Sequence, residues 1–198
     1  FCVTTSYRNE PNPVDGRHDK IFPMFEFESH GDVNDMIKLE EELLTHMGFG
    51  DSFHKITYDD AAKKYGVSLL DYEEEDALCK DFTTCTFLTE FPLRTDPFWN
   101  MKHAGNDLYS KVDVIIHGME TIGSAERATD RDEMRRQFND ISDGGYASLL
   151  YNHFGKKRVE DELEAYLSHE FFPRYGGGIG VTRVARALEL SNLLKKGG

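Results

Sequence analysis

Three arginines and a few carboxylates, spread over the whole chain, are the residues best suited to chemistry on a charged ligand. Near the start, Tyr7-Arg8-Asn9-Glu10 leads into a loop that presents Arg17-His18. An arginine on a strand beside a turn carrying Arg and His can clamp a polyphosphate, because guanidinium forks match phosphate oxygens. The same residues alone would also suit an exposed, salt-bridged hairpin. Further on, Asp113 and Glu120 flank a hairpin turn. Carboxylates facing arginines are what a magnesium–triphosphate site requires, whereas an isolated acid pair would be surface decoration. Near the end stands GGGIGVTR, residues 176–183. Its glycines before a helix let a ligand approach the backbone closely, and Gly180 and Arg183 stand at the start of that helix. No G-K-[ST] follows and no βαβ unit surrounds it, which excludes a Walker loop and a dinucleotide fingerprint.

These residues need elements to hold them. TTSYR and IFPMFEFES read as two strands around the turn PNPVDG, with Phe25 and Phe27 on one face and Met24, Glu26 and Glu28 on the other. Residues 32–47 read as a helix capped by Asp32, with Val33, Met36, Ile37, Leu43, Leu44 and Met47 at helical spacing. DDAAKKYGV reads as a short helix ending at Gly66, and the acidic DYEEEDALCKD as a solvated helix with no part in binding. CTFLTEFP is a buried strand ended by Pro92, and 112–127 a hairpin. Helices follow over roughly 131–141, 144–153 and 158–169. The expected class is α+β, an antiparallel sheet flanked by helices, in a single catalytic domain over 1–198.

Composition narrows the function. The chain has 198 residues, 39% hydrophobic and 30% charged, with 23 Lys+Arg against 36 Asp+Glu and a net charge of −13. That balance suits a folded globular domain and argues against a broad nucleic-acid-binding surface. No apolar run suggests a membrane partner, and FCVTTSYRNE lacks the order of a signal peptide. Cys2, Cys79 and Cys85 cannot all pair, and no C-x-x-C occurs, so a reduced, cytoplasmic setting is expected.

Taken together, the motifs resemble the catalytic fold of class II aminoacyl-tRNA synthetases. SYRNEPNPVDGRHDKIFPMFEFE resembles that family's motif 2 and GGGIGVTRVARALE its motif 3. VDVIIHGMETIGSAER resembles the aspartyl/asparaginyl branch, which includes ammonia-dependent asparagine synthetases, and spacings of seven from Asp113 to Glu120 and from Glu120 to Arg127 agree. The resemblance implies ATP and Mg²⁺ as cofactors. It implies Arg8 on the α-phosphate, Glu10 on the adenine side, Phe22 stacked on adenine with Arg183 opposite, and Arg17 and His18 on the outer phosphates. By the same resemblance Arg8 and Arg183 are the catalytic groups, Gly180 borders the nucleotide, and Asp113 and Glu120 hold Mg²⁺. Glu26 would receive the substrate α-ammonium and Arg127 would read its side chain. The substrate carboxylate is itself the nucleophile, so positioning and charge compensation do the work.

The sequence departs from the branch in three places. Met24 stands where Gln is common, Ala125 replaces a glycine or small polar residue with the charged Glu126 next to it, and the motif 1 region is absent. The chain is therefore expected to be the C-terminal part of a longer, homodimeric protein. The favoured expectation is a ligase that adenylates aspartate and passes it to ammonia, making asparagine. The alternatives are an asparaginyl- or aspartyl-tRNA synthetase core with tRNA as partner, and a synthetase-like regulatory protein that binds an amino acid or nucleotide.

Overall fold

Strand alternation puts the acids of residues 21–30 on one side of a sheet. In a computed structural model describing residues 1–9, 12–14, 16–17 and 19–194, these residues form β2 (Ile21–His30), antiparallel to β1 (Cys2–Tyr7) with Thr4 opposite Met24 and Cys2 opposite Glu26. Phe25 and Phe27 pack against the main core, while Met24, Glu26 and Glu28 line the opposite, ligand-sized cleft. Glu10 and His18 lie outside the described residues.

The predicted hairpin is β6 (Leu108–Ile116) and β7 (Met119–Glu126). Its two-residue loop, His117-Gly118, has φ of 49° and 73°, the positive values that match such a loop to strand twist. The glycine-rich segment is a strand, β8 (Arg174–Gly180), inserted between β2 and β7. With β4 (Cys85–Pro92) and β3 (His54–Thr57) the order is β1-β2-β8-β7-β6-β4-β3, and β5 (His103–Gly105) pairs with β6. All pairs are antiparallel except β3 with β4. The antiparallel expectation holds. Neither β3 nor β5 is predicted, since four and three residues are too short to carry a period.

Helix α1 (Val33–Met47) starts at a capping box in which the Asp32 carboxylate accepts from the Asn34 amide at 2.8 Å and the Asp35 carboxylate accepts from the Asp32 amide at 3.1 Å. Together with α7 (Val181–Leu190), it covers the face of the sheet opposite the cleft, enclosing Met36, Leu44, Val112, Val114 and Ile122. Helices α2 (Tyr58–Tyr65) and α3 (Tyr72–Asp81) pack on β4 through Ala61, Leu78 and Leu88. Helices α4 (Arg131–Asp140), α5 (Gly145–Phe154) and α6 (Lys156–Leu167) build a separate cluster about Met134, Phe138 and Leu163, against which Trp99 packs. Among the described residues, no helix is long and apolar enough to cross a membrane.

One helix differs from expectation. The acidic α3 is not merely solvated: Leu78 is fully buried and Glu75 turns inward toward the cleft. Leu78 and Cys79 stand three and four positions after Glu75, so helical geometry places that one glutamate on the packed face.

Candidate active site

At the end of β1 the Arg8 amide donates to the Lys20 carbonyl at 2.9 Å, closing the base of the loop. Its guanidinium lies 5.2 Å from the centre of the Phe22 ring, so Arg8 covers this ring in the structure. Arg8, Arg17, Phe22, Glu120, Gly180 and Arg183 all line one cavity. Arg183 sits on the first turn of α7 and donates through Nη1 to the Glu120 carbonyl at 2.6 Å, with the Glu120 carboxylate 3.9 Å away. Burial pulls the Arg183 pKa below its usual value. Arg17 pairs with Glu75 and donates through Nη1 to the Gly118 carbonyl at 2.8 Å.

The two acids of the hairpin converge over Gly123. A Cβ there would stand 2.7 Å from Glu120 Oε1 and 3.5 Å from Asp113 Oδ1. Asp113 is 7% exposed, its Oδ2 is paired with Lys111 at 2.5 Å, and its buried Oδ1 has no partner. Burial pushes its carboxyl upward and Lys111 opposes that shift. An orphaned carboxylate oxygen beside a second carboxylate fits Mg²⁺, which binds through one or two carboxylates plus substrate phosphates. Among the described residues, no group of three His, Cys, Asp or Glu could hold a metal ion, so a cation here would need phosphate oxygens. Lys111 is absent from the sequence-derived set, although its place two residues before Asp113 on one strand puts both on the same face. Its ammonium also lies 3.6 Å from the Phe91 ring centre.

A second pocket adjoins the first and is lined by Cys2, Glu26, Glu28 and Arg127, sharing Gly123 and Gly178 with its neighbour. Glu26 accepts from Thr4 Oγ1 at 3.1 Å, and its other oxygen lies 3.9 Å from Cys2 Sγ. Arg127 grips Glu28 through Nε at 2.9 Å and Nη2 at 2.8 Å, and Arg174 stands 3.9 Å from the second Glu28 oxygen. Glu126, the neighbour that the sequence flags as an added charge, is instead a buried strut. It binds Lys102 at 2.6 Å and the Val33 amide at 3.3 Å. Ala125 is wholly buried. The glycines of β8 leave room for β2: a Cβ at Gly176 would collide with the Glu28 carboxyl, and one at Gly178 with the Met24 methyl. Glu28 was legible as facing the cleft, but its role as the Arg127 partner was not, nor were Glu75 and Tyr72 near Arg17.

Residues 1–195 match the model of the family described as tRNA synthetases class II (D, K and N). The lysine–tRNA ligase of Methanoculleus marisnigri is 22% identical over 253 residues, covering 99% of this chain and 47% of that protein. The Escherichia coli lysine–tRNA ligase is 20% identical, with 98% and 47% covered. The chain thus spans about half the length of the curated relatives it matches. Among solved structures, the asparaginyl-tRNA synthetase of Pyrococcus horikoshii complexed with asparaginyl-adenylate superposes with a TM-score of 0.72 at 23% identity, covering 94% of this chain and 48% of that one. The aspartyl-tRNA synthetase of Entamoeba histolytica gives 0.70 at 18%, with 93% and 44% covered. On a match that runs from residue 1 to residue 195, the chain belongs to the class II tRNA synthetases of the aspartate, lysine and asparagine branch.

Proposed function

We propose that this chain activates aspartate or asparagine with ATP, as the catalytic core of a tRNA ligase. The observation that carries the reading is the contact between the two cavities. One gathers Arg8, Arg183, Glu120 and Phe22, the other Glu26 and Arg127, and they meet at Gly123 and Gly178. A substrate held by its ammonium at Glu26 and its side chain at Arg127 would present its carboxylate at that junction. The carboxylate oxygen attacks the α-phosphorus, the bond to the bridging oxygen of the β-phosphate breaks, and pyrophosphate leaves. Arg8 and Arg183 would balance the charge that grows on the α-phosphate oxygens. Asp113 and Glu120 would hold Mg²⁺, which neutralises charge on the phosphates when bound.

The Arg127–Glu28 pair favours asparagine within this reading. A carboxamide can accept from Arg127 and donate to Glu28, whereas a carboxylate must share Arg127 with an acid already bound there. For the acceptor, the relatives above are tRNA ligases and synthetases, which favours tRNA over the ammonia expected from the sequence. A homodimer in the cytoplasm fits this reading.

The test is ATP–pyrophosphate exchange with aspartate, asparagine and lysine, followed by product analysis with tRNA or ammonia. Exchange with asparagine or aspartate supports the reading. Exchange with lysine alone would overturn the substrate, and no exchange with any of them would leave a binding protein. Asparagine formed from aspartate and ammonia would restore the ammonia-dependent ligase that the sequence led us to expect.

A further inference from the structure

The acidic helix α3 lies across the hairpin turn at the phosphate end of the cleft. Gly118 shows how closely: a Cβ there would stand 2.8 Å from the Asp76 Cα. One turn further on, Cys79 Sγ donates to the Ile115 carbonyl at 3.5 Å. The same helix presents Glu75 and Tyr72 to Arg17. Glu75 pairs with Nη2, the Gly118 carbonyl accepts from Nη1, and the Tyr72 ring centre is 5.5 Å from the guanidinium carbon. The side chains of Arg17 and Glu75 are 15% and 23% exposed. Arg17 therefore stands in the cleft wall, bonded to helix and hairpin together.

A guanidinium has five N–H groups in a fixed fork. Two are taken here, leaving three, and Arg17 borders both the cavity described above and an adjoining one that also touches Arg8, Arg183 and Glu120. We infer that Glu75 is a positioning residue: with Tyr72 and Gly118 it fixes the Arg17 guanidinium so that its remaining N–H groups face the outer phosphates of a bound nucleoside triphosphate. This rests on the nucleotide reading above, and it gives α3 a part in the site that no similarity assigns. A rival geometry uses the same atoms. Glu75 could simply occupy Arg17 and repel phosphate, a repulsion that Glu120 on the same wall would share.

The two differ in sign, and calorimetric titration with Mg²⁺–ATP and with AMP separates them. Glu75→Gln removes the charge-assisted bond and is expected to weaken ATP on the order of tenfold while leaving AMP unchanged. Glu75→Asp is expected to recover part of the loss. Tyr72→Ala, at a side of the clamp that leaves Leu78 and its packing intact, is expected to weaken ATP by roughly threefold. Unchanged or tighter ATP binding in Glu75→Gln would overturn the inference, as would equal losses for ATP and AMP, which would mean that α3 only supports the fold. A wild-type chain that bound neither nucleotide would remove the nucleotide reading itself, and this inference with it.

Discussion

Asp113 on the cleft face of the central sheet and Glu40 beneath its other face are both buried carboxylates, and their surroundings differ. Facing the cleft, Asp113 has Lys111 on one oxygen, Glu120 beside it, and one oxygen left without a partner. Beneath the sheet, Glu40 on α1 is 1% exposed, and neither of its oxygens has a partner. Near it Ser124 Oγ donates instead to the Val112 carbonyl, at 3.3 Å. Burial pushes the Glu40 carboxyl up to about 8, so it is a neutral acid at pH 7. Burial pushes both carboxyls up, but at Asp113 the Lys111 ammonium opposes that shift. Around Asp113 the cleft face is thus organised by charge, and around Glu40 the back face is organised by packing.

The largest effect expected from breaking the cleft side is at Arg127. Arg127→Leu should abolish amino-acid-dependent pyrophosphate exchange, a loss on the order of 10⁴-fold for a site built to bind a polar side chain. ATP binding should survive, because the arginines proposed to hold it stand just after β1, in the following loop and on α7. Exchange that persisted in the leucine variant would leave substrate identity unassigned and only the nucleotide cavity standing. Next in size is Arg8→Ala, expected to cost about 2.7–4 kcal/mol in activation, as for one preorganised charge contact. Single-turnover adenylate formation would measure it, and full activity would sink the phosphate assignment.

How far the two faces could be read from the sequence differs as well. Period-two alternation put Glu26 and Glu28 on one side of β2 and Phe25 and Phe27 on the other, and the structure agrees. The Asp32 cap and the apolar spacing of α1 were equally plain, because a helix start and its stripe are local. What escaped depended on neighbours remote in sequence. Arg127 meets Glu28, 99 residues away, only because β8 is inserted between β2 and β7. Arg17 meets Glu75 across 58 residues, where a run of acids hides the one that faces inward. Glu40 was missed for a related reason: a glutamate on a helix reads as solvated until the sheet beneath that helix is known.

The smallest effect on activity sharpens the back-face half of the comparison. Free of the fold, the Glu40 carboxyl titrates near 4.5; in the fold it holds its proton up to about 8. Between those values the unfolded chain has lost a proton that the folded chain keeps, so stability falls as pH rises. Its contribution is full below 4.5 and is lost as pH climbs through 8. Glu40→Met has nearly the same length, carries no polar atom that needs a partner, and keeps the helix propensity of α1. It should therefore stabilise the protein by about 1–3 kcal/mol at pH 5, the scale of an unpaired buried polar group, and by roughly 4 kcal/mol more at pH 8, because about three pH units at ~1.4 kcal/mol each lie between the two. Urea unfolding at the two pH values measures both numbers. Nucleotide binding should not change, since Glu40 lies on the far side of the sheet from Arg8 and Arg183. A variant equally destabilised at both pH values would mean that Glu40 has a polar partner in solution, and the contrast between the two faces would then be lost.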